Sequence, residues 1–221
     1  MRLSRVLVLP VLMPALLSGC SSGPNFVAKL EPWRAEEESA CISSGVLAHT
    51  SFIATRSALG GPSVCGTERP YELKAVDNGR VQLKPAALLR CPMIPQVERW
   101  IRDSVTPAAR YYFRSELAEI SVAGSYSCRP MNHVSGAKLS EHGYANALDV
   151  SGFTLTDGRK ISIKRAWNGD PQEQAFLRAA RRGACEHFTT VLSPDYDRNH
   201  HDHFHVDLAR HGLAGLKGIC K

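Results

Sequence analysis

The stretch HFHVDL, residues 203–208, constrains the chain more than any other. Alternation with period two puts His203, His205 and Asp207 on one face of an extended strand, and Phe204, Val206 and Leu208 on the other. The apolar face belongs in a core, and the polar face belongs at a site. The preceding residues, NHHD, raise the density further: His200, His201, His203 and His205 are four of only nine histidines in the chain. Histidine is the usual nitrogen ligand of zinc, and a catalytic zinc takes three protein ligands with a fourth position open. One rigid strand cannot supply all three, so partners must come from elsewhere.

A second stretch, SEHGYANALD at residues 140–149, offers them. His142 precedes a predicted strand, ALDVSGF (147–153), and Asp149 lies within it between Leu148 and Val150. A carboxylate emerging from an otherwise apolar strand needs a partner, because an unpaired buried charge is costly. A metal ion is one such partner.

The N-terminus places the chain in a compartment. Arg2 and Arg5 precede an apolar run, residues 6–17, that is too short to span a bilayer and has the form of a secretory signal. Its end, Leu17-Ser18-Gly19-Cys20, resembles the bacterial lipobox, which implies a lipid on Cys20; an ordinary cleaved signal with an incidental cysteine is the alternative. Ser21 rather than Asp after that cysteine implies outer-membrane retention. Loss of residues 1–19 lowers the formal charge from +6 to +4, compatible with anionic envelope polymers and no indication of nucleic acid. Six further cysteines, Cys41, Cys65, Cys91, Cys128, Cys185 and Cys220, argue for up to three disulfides in an exported protein, with fifteen pairings open. No CxxC pair supports a zinc-thiolate site.

At 221 residues the chain suits one medium domain with a small appended region. The expected division is a lipoprotein signal peptide (1–19), a lipidated N-terminus and tether (20–36), a small N-terminal subregion (37–87) and the main domain (88–221). Asn78-Gly79 between YELKAVD and RVQLKP predicts a hairpin. Val97, Trp100, Ile101 and Val105 share one helical face, and Pro107 kinks that helix or starts another. EISVAGSY (119–126), ALDVSGF, KISI (160–163), TTVL (189–192) and HFHVDL form strands. Asp170-Pro171-Gln172-Glu173 starts a helix that buries Phe176, Leu177, Ala180 and Ala184. The simplest assembly is α+β, a small, mostly antiparallel sheet with flanking helices, stabilised by disulfides.

The spacing S-x-H-x(6)-D followed by H-x-x-H-x-H resembles the zinc peptidases that include D-alanyl-D-alanine carboxypeptidases, murein endopeptidases and the hedgehog signalling domain. Within that group the chain is most similar to the bacterial extensin-like C-terminal family, through GSYSCR, SEHGYANALDVSGF, the helix ending in AC, and TVLSPDYDRNHHDHFHVDL, over residues 37–220. The resemblance implies a hedgehog or DD-peptidase-like zinc fold, with His142, Asp149 and His205 as zinc ligands. It implies His203 as the general base or acid and His200 as a further active-site histidine. Arg129 matches the arginine that grips a carboxylate or polarises the scissile carbonyl, and Ser140 supports the loop. The activity implied is hydrolysis of peptide bonds in peptidoglycan stem peptides; the alternatives are a non-catalytic module that keeps the zinc and binds the cell wall, and a periplasmic zinc carrier. One departure stands out. Where such peptidases carry glycine three residues after the first histidine, this chain has Ala145, strained if the position needs a positive φ, unless Gly143 shifts the turn.

Other residues carry blander expectations. Without SEH…D, the histidine cluster would be a solvated, loosely metal-binding loop. Asp207 and Glu141 are supports rather than ligand or base, His133 is a loop residue, His187 favours its helix dipole, and Trp167 packs in the core. Cys128 is a disulfide partner that fixes the strand of Arg129, and His49 and His211 have no evident partners.

Overall fold

A computed structural model describes residues 25–47, 50–212, 215 and 217–221. The signal peptide, Cys20 and His49 therefore lie outside the described residues. The helices are α1 (Pro32–Ser43), α2 (Met93–Trp100), α3 (Thr106–Phe113), α4 (Ile163–Ala166) and α5 (Pro171–His187). The strands are β1 (Ile53–Thr55), β2 (Leu59–Gly60), β3 (Gly66–Thr67), β4 (Tyr71–Val76), β5 (Val81–Leu89), β6 (Leu117–Gly124), β7 (Ala147–Leu155), β8 (Lys160–Ser162), β9 (Thr190–Leu192), β10 (Phe204–Asp207) and β11 (Ile219–Cys220).

The chain is α+β, a mixed sheet with flanking helices. Its main sheet is larger than the small one expected, with nine strands in the order β1-β4-β5-β6-β7-β10-β9-β11 and β8 also paired to β7. Most pairings are antiparallel, but β5–β6 and β9–β11 are parallel, so the sheet is mixed. The parallel β5–β6 pair requires a crossover, and the helical run 93–113 supplies it. That run is continuous through Pro107. The Thr106 amide donates to Ile101 rather than to residue 102, so the helix widens to a π turn at Ile101–Val105 just before the proline, which has no amide hydrogen to donate.

Local signals explain the remaining elements. Asp77, Asn78 and Gly79 all take positive φ in the turn that joins β4 to β5, where Val76 pairs with Val81. Asp170 caps α5 by accepting from the amides of Gln172 and Glu173. Both strands of this hairpin lie in the main sheet, and β5 runs across residue 88, so residues 71–87 share one sheet with the segment that follows.

Period-two patterning gives the sheet its two faces. Leu148, Val150, Phe204 and Val206 are wholly buried and belong to one core cluster with Trp100, Phe153, Trp167 and Phe176, drawn from the helical run, β7, the end of α4 and α5. Edge-to-face aromatic contacts knit this layer: Trp100 on Phe153 at 6.3 Å, Phe153 on Phe176 at 5.3 Å and Trp167 on Phe204 at 5.5 Å. Trp167 is a core residue, and its indole N–H donates to Asp195.

Three disulfides join Cys41 to Cys91, Cys65 to Cys128 and Cys185 to Cys220. The second fixes the segment that carries Arg129. The tether stretch also contains structure. Phe26 packs with Cys65, Leu139 and Tyr144, Val27 pairs with the backbone of Ala137 and Leu139, and α1 begins at Pro32.

Candidate metal centre

Two antiparallel strands and one loop bring His142, Asp149 and His205 together. In the β7–β10 ladder His205 lies directly opposite Asp149, so both side chains leave the same face of the sheet. Their neighbours Leu148, Val150, Phe204 and Val206 face the opposite way, into the core. His142 arrives from the loop before β7, a 3-10 turn at Glu141–Tyr144 capped by the Ser140 hydroxyl, which accepts from the His142 amide at 3.4 Å. Gly124 on β6 also pairs with Asp149; a Cβ there would lie 3.0 Å from Oδ2, so glycine leaves room for the carboxylate.

The ligand atoms of the three residues all lie within 4.8 Å of one another, and all three residues are buried. His142 Nε2 is 3.1 Å from Asp149 Oδ2 and 3.2 Å from His205 Nδ1, and His205 Nδ1 is 2.9 Å from Asp149 Oδ1. The far nitrogen of each ring is tied down. His142 Nδ1 donates to the carbonyl of Ser125, and His205 Nε2 donates to Asp207 Oδ2 at 2.9 Å. Such outer bonds orient each ring and aim its other nitrogen into the cluster, as for metal-ligating imidazoles. Two imidazoles and a carboxylate converging in this way suit a borderline cation such as zinc, with a coordination position left for another ligand.

The cluster's charged groups shift one another's proton affinities. Burial alone would lower the pKa of His205, but hydrogen bonds to Asp149 and Asp207 outweigh it and push the imidazole up to about 10. Asp149 is buried too, which would raise its pKa; the imidazoles of His142 and His205 instead hold it far below the usual carboxylate range. Asp207 is likewise lowered by His205 against its own burial.

Two further histidines border the cluster. His203 Nε2 lies 3.6 Å from Asp149 Oδ1, while its Nδ1 donates to Asp202 at 2.9 Å. His200 sits 5.3 Å from the His203 ring and 5.9 Å from the His205 ring, and its Nδ1 donates to Asp197 at 2.7 Å. Its burial lowers its pKa, partly opposed by Asp197. Each ring thus keeps Nδ1 bonded to an acid, and among the described residues neither Nε2 makes a hydrogen bond.

Residues 39–221 match the family model described as extensin-like protein C-terminus. The chain belongs to the extensin-like family. No curated protein and no solved structure matches it. The match covers every residue of the candidate centre of this extensin-like chain.

Arg129 is joined to the same loop through its backbone, whose carbonyl accepts from the Ser140 amide at 3.0 Å. Among the described residues its guanidinium bonds only to the neighbouring Pro130 carbonyl, at 3.5 Å, and to no carboxylate. Ala145 does take a positive φ, 52°, so the motif position requires the left-handed region and alanine occupies it; Gly143 is not among the positive-φ glycines, and a Cβ there would meet Leu139 at 2.5 Å. His211 has a partner the sequence did not reveal, the Thr190 hydroxyl at 2.7 Å. His201 and His133 are exposed and take no part in the cluster. Sequence reading also missed Asp197 and Asp202 as orienting acids, although both stand beside the histidines they hold, in PDYDRNHHDH. The contact of Glu141 with Arg34 had no local signal at all.

Proposed function

We propose that this extensin-like chain is an exported, zinc-dependent metallopeptidase that hydrolyses peptide bonds in peptidoglycan stem peptides. The supporting observation is the buried convergence of His142 Nε2, Asp149 and His205 Nδ1, with both remote ring nitrogens already engaged. His142, Asp149 and His205 would hold the zinc ion. When bound, zinc polarises the scissile carbonyl and acidifies water.

The chain's own groups supply the rest. His203 takes a proton from the attacking water and returns it to the leaving amine, with Asp202 holding its ring in place. His200, fixed by Asp197, lies beside it as a second neutral acceptor or donor. Arg129, free of any carboxylate among the described residues, grips a stem-peptide carboxylate in a two-pronged pair or steadies the developing oxyanion. Ser140 holds the ligand loop, and Asp207 orients His205. In this reading the lipobox at Cys20 anchors the domain to the membrane, at the periplasmic face of the outer membrane, where stem peptides are within reach.

Purified peptidoglycan digested with the soluble domain, with and without zinc, tests the proposal when the fragments are read by mass spectrometry. New fragments that depend on zinc and vanish in His203→Ala are expected, and their masses identify the bond. Asp149→Ala and His205→Ala should abolish both zinc binding and cleavage. Activity retained in either of those variants would remove the metal assignment, and a zinc-loaded protein that yields no fragments would be a cell-wall-binding module instead.

A further inference from the structure

Helix α1 poses a question about its own position. None of its residues is buried, so core packing does not hold it against the domain. Polar and covalent ties do. Cys41 is bonded to Cys91, and Glu38 accepts from the Arg90 side chain at 2.9 Å and from the Cys91 amide at 3.2 Å. Arg34, in the first turn of the helix, reaches across to Glu141 with two parallel bonds, Nη1 to Oε2 at 2.8 Å and Nη2 to Oε1 at 2.7 Å. Both partners are largely sheltered from water, with side-chain exposures of 12% and 16%, so the pair is not an ordinary surface ion pair.

Glu141 is the residue immediately before His142. Its carboxylate also accepts from the Asn146 side chain at 2.6 Å, and its backbone carbonyl accepts from the Asn146 amide at 3.0 Å. The two ends of the loop, one beside the histidine and one at the start of β7, are therefore tied to each other through Glu141. Arg34 closes the arrangement from outside. Its guanidinium lies 3.9 Å from the ring of Tyr144, inside the same loop, and its backbone carbonyl accepts from Arg90, whose amide in turn donates to the Ala145 carbonyl at 2.9 Å. Every polar tie of Arg34 outside its own helix turn leads to this loop or to the residue that braces it.

We propose that Arg34 is a positioning residue for the His142–Asp149–His205 centre, acting through Glu141 and Asn146 to hold His142 at its distance from β7. The role belongs to a residue that precedes the family match, which begins at residue 39. The part of it concerning zinc rests on the proposed metal function, whereas the clamp itself does not.

The test uses Arg34→Ala, Arg34→Lys and Glu141→Gln in the otherwise intact protein. Zinc affinity is measured by chelator competition, the absorption spectrum is recorded with cobalt in place of zinc, and amide hydrogen exchange is followed in the metal-free protein. Arg34→Ala should weaken zinc binding about tenfold or more, in the range found for residues that orient ligands, and should alter the cobalt spectrum. It should also speed exchange of the amides of residues 142–146 while those of β10 keep their protection. Arg34→Lys, which keeps the charge but loses the two-pronged geometry, should recover part of the affinity. Glu141→Gln keeps the size of the side chain and provides the same reading if Arg34→Ala does not fold. Zinc affinity within twofold of the parent and unchanged loop exchange would overturn the proposal. If the parent binds no zinc, the metal reading falls, and loop exchange alone then decides the clamp.

Discussion

The two sides of the candidate centre are built by opposite means. On one side β10 delivers His205 from the middle of a sheet, opposite Asp149 and backed by the fully buried Phe204 and Val206. On the other, His142 rides on a short 3-10 turn that ends in a left-handed alanine and is held by Ser140, Arg34 and the Ser125 carbonyl. The strand side draws its geometry from the core, so its ligand cannot move without disturbing the fold. The loop side draws its geometry from individual hydrogen bonds, so it can loosen while the fold stays intact.

That difference predicts separable damage. Phe204→Ala should cost about 3–5 kcal/mol of global stability, because it leaves a cavity beneath β10 against Trp167. Denaturant unfolding monitored by fluorescence and by far-ultraviolet circular dichroism should show one common, shifted transition. A loop-side change such as Ser140→Ala removes one cap and should cost only about 1 kcal/mol. If Phe204→Ala loosened the ligand site without shifting the global transition, the strand would not be anchored as described.

This contrast also explains what could be read from the sequence. The β10 alternation, the Asn78-Gly79 hairpin and the Asp170 cap are local patterns, in which residues two to four apart share a face or a turn. Each appears in the structure close to the predicted position. The disulfide pairing, the full extent of the sheet and the Arg34–Glu141 pair depend on residues far apart in the chain; that last pair spans 107 positions. Stretch 20–36 reads as a tether because it begins with small and polar residues; Phe26 and Arg34 are engaged by partners that no local window contains. Asp197 and Asp202 were within reach of local reading but hidden by the histidines beside them.

The strand side also carries a pH dependence of its own. His205 is raised to about 10 in the folded protein, above the roughly 6.5 of an unfolded histidine. Its contribution to metal-free stability is therefore complete below about pH 6.5 and is lost as pH rises towards 10. Asp149 and Asp207 are lowered, so their contribution is present above about pH 4 and is lost as pH falls further. Metal-free protein should thus be most stable between about pH 4 and 6.5 and should lose on the order of 3 kcal/mol by pH 9, seen as a Tm lower by several degrees. Zinc requires the same nitrogen without its proton, so the rise in Tm on adding zinc should grow over the interval in which metal-free stability declines. A zinc effect that shrinks from pH 6.5 to 9 would take His205 out of the ligand set.

The smallest expected effect concerns Ala145, where the loop side looks most strained. Its φ of 52° places a Cβ in the left-handed region, which costs an alanine roughly 1–2 kcal/mol relative to glycine. Ala145→Gly relieves that cost. The same change frees the unfolded chain, which offsets about 0.4–1 kcal/mol, and removes a methyl that is fully buried, about 0.8 kcal/mol more. These contributions nearly cancel, so Ala145→Gly should unfold within about 1 kcal/mol of the parent. The backbone bonds from the Ala145 amide to His142 and from the Arg90 amide to Ala145 hold the turn in either case. Ala145→Val, with a branched side chain at the same φ, should instead be clearly destabilised. A gain above about 2 kcal/mol from the glycine would mean that the loop is strained beyond what burial of its methyl offsets, and that His142 is held under tension rather than at rest.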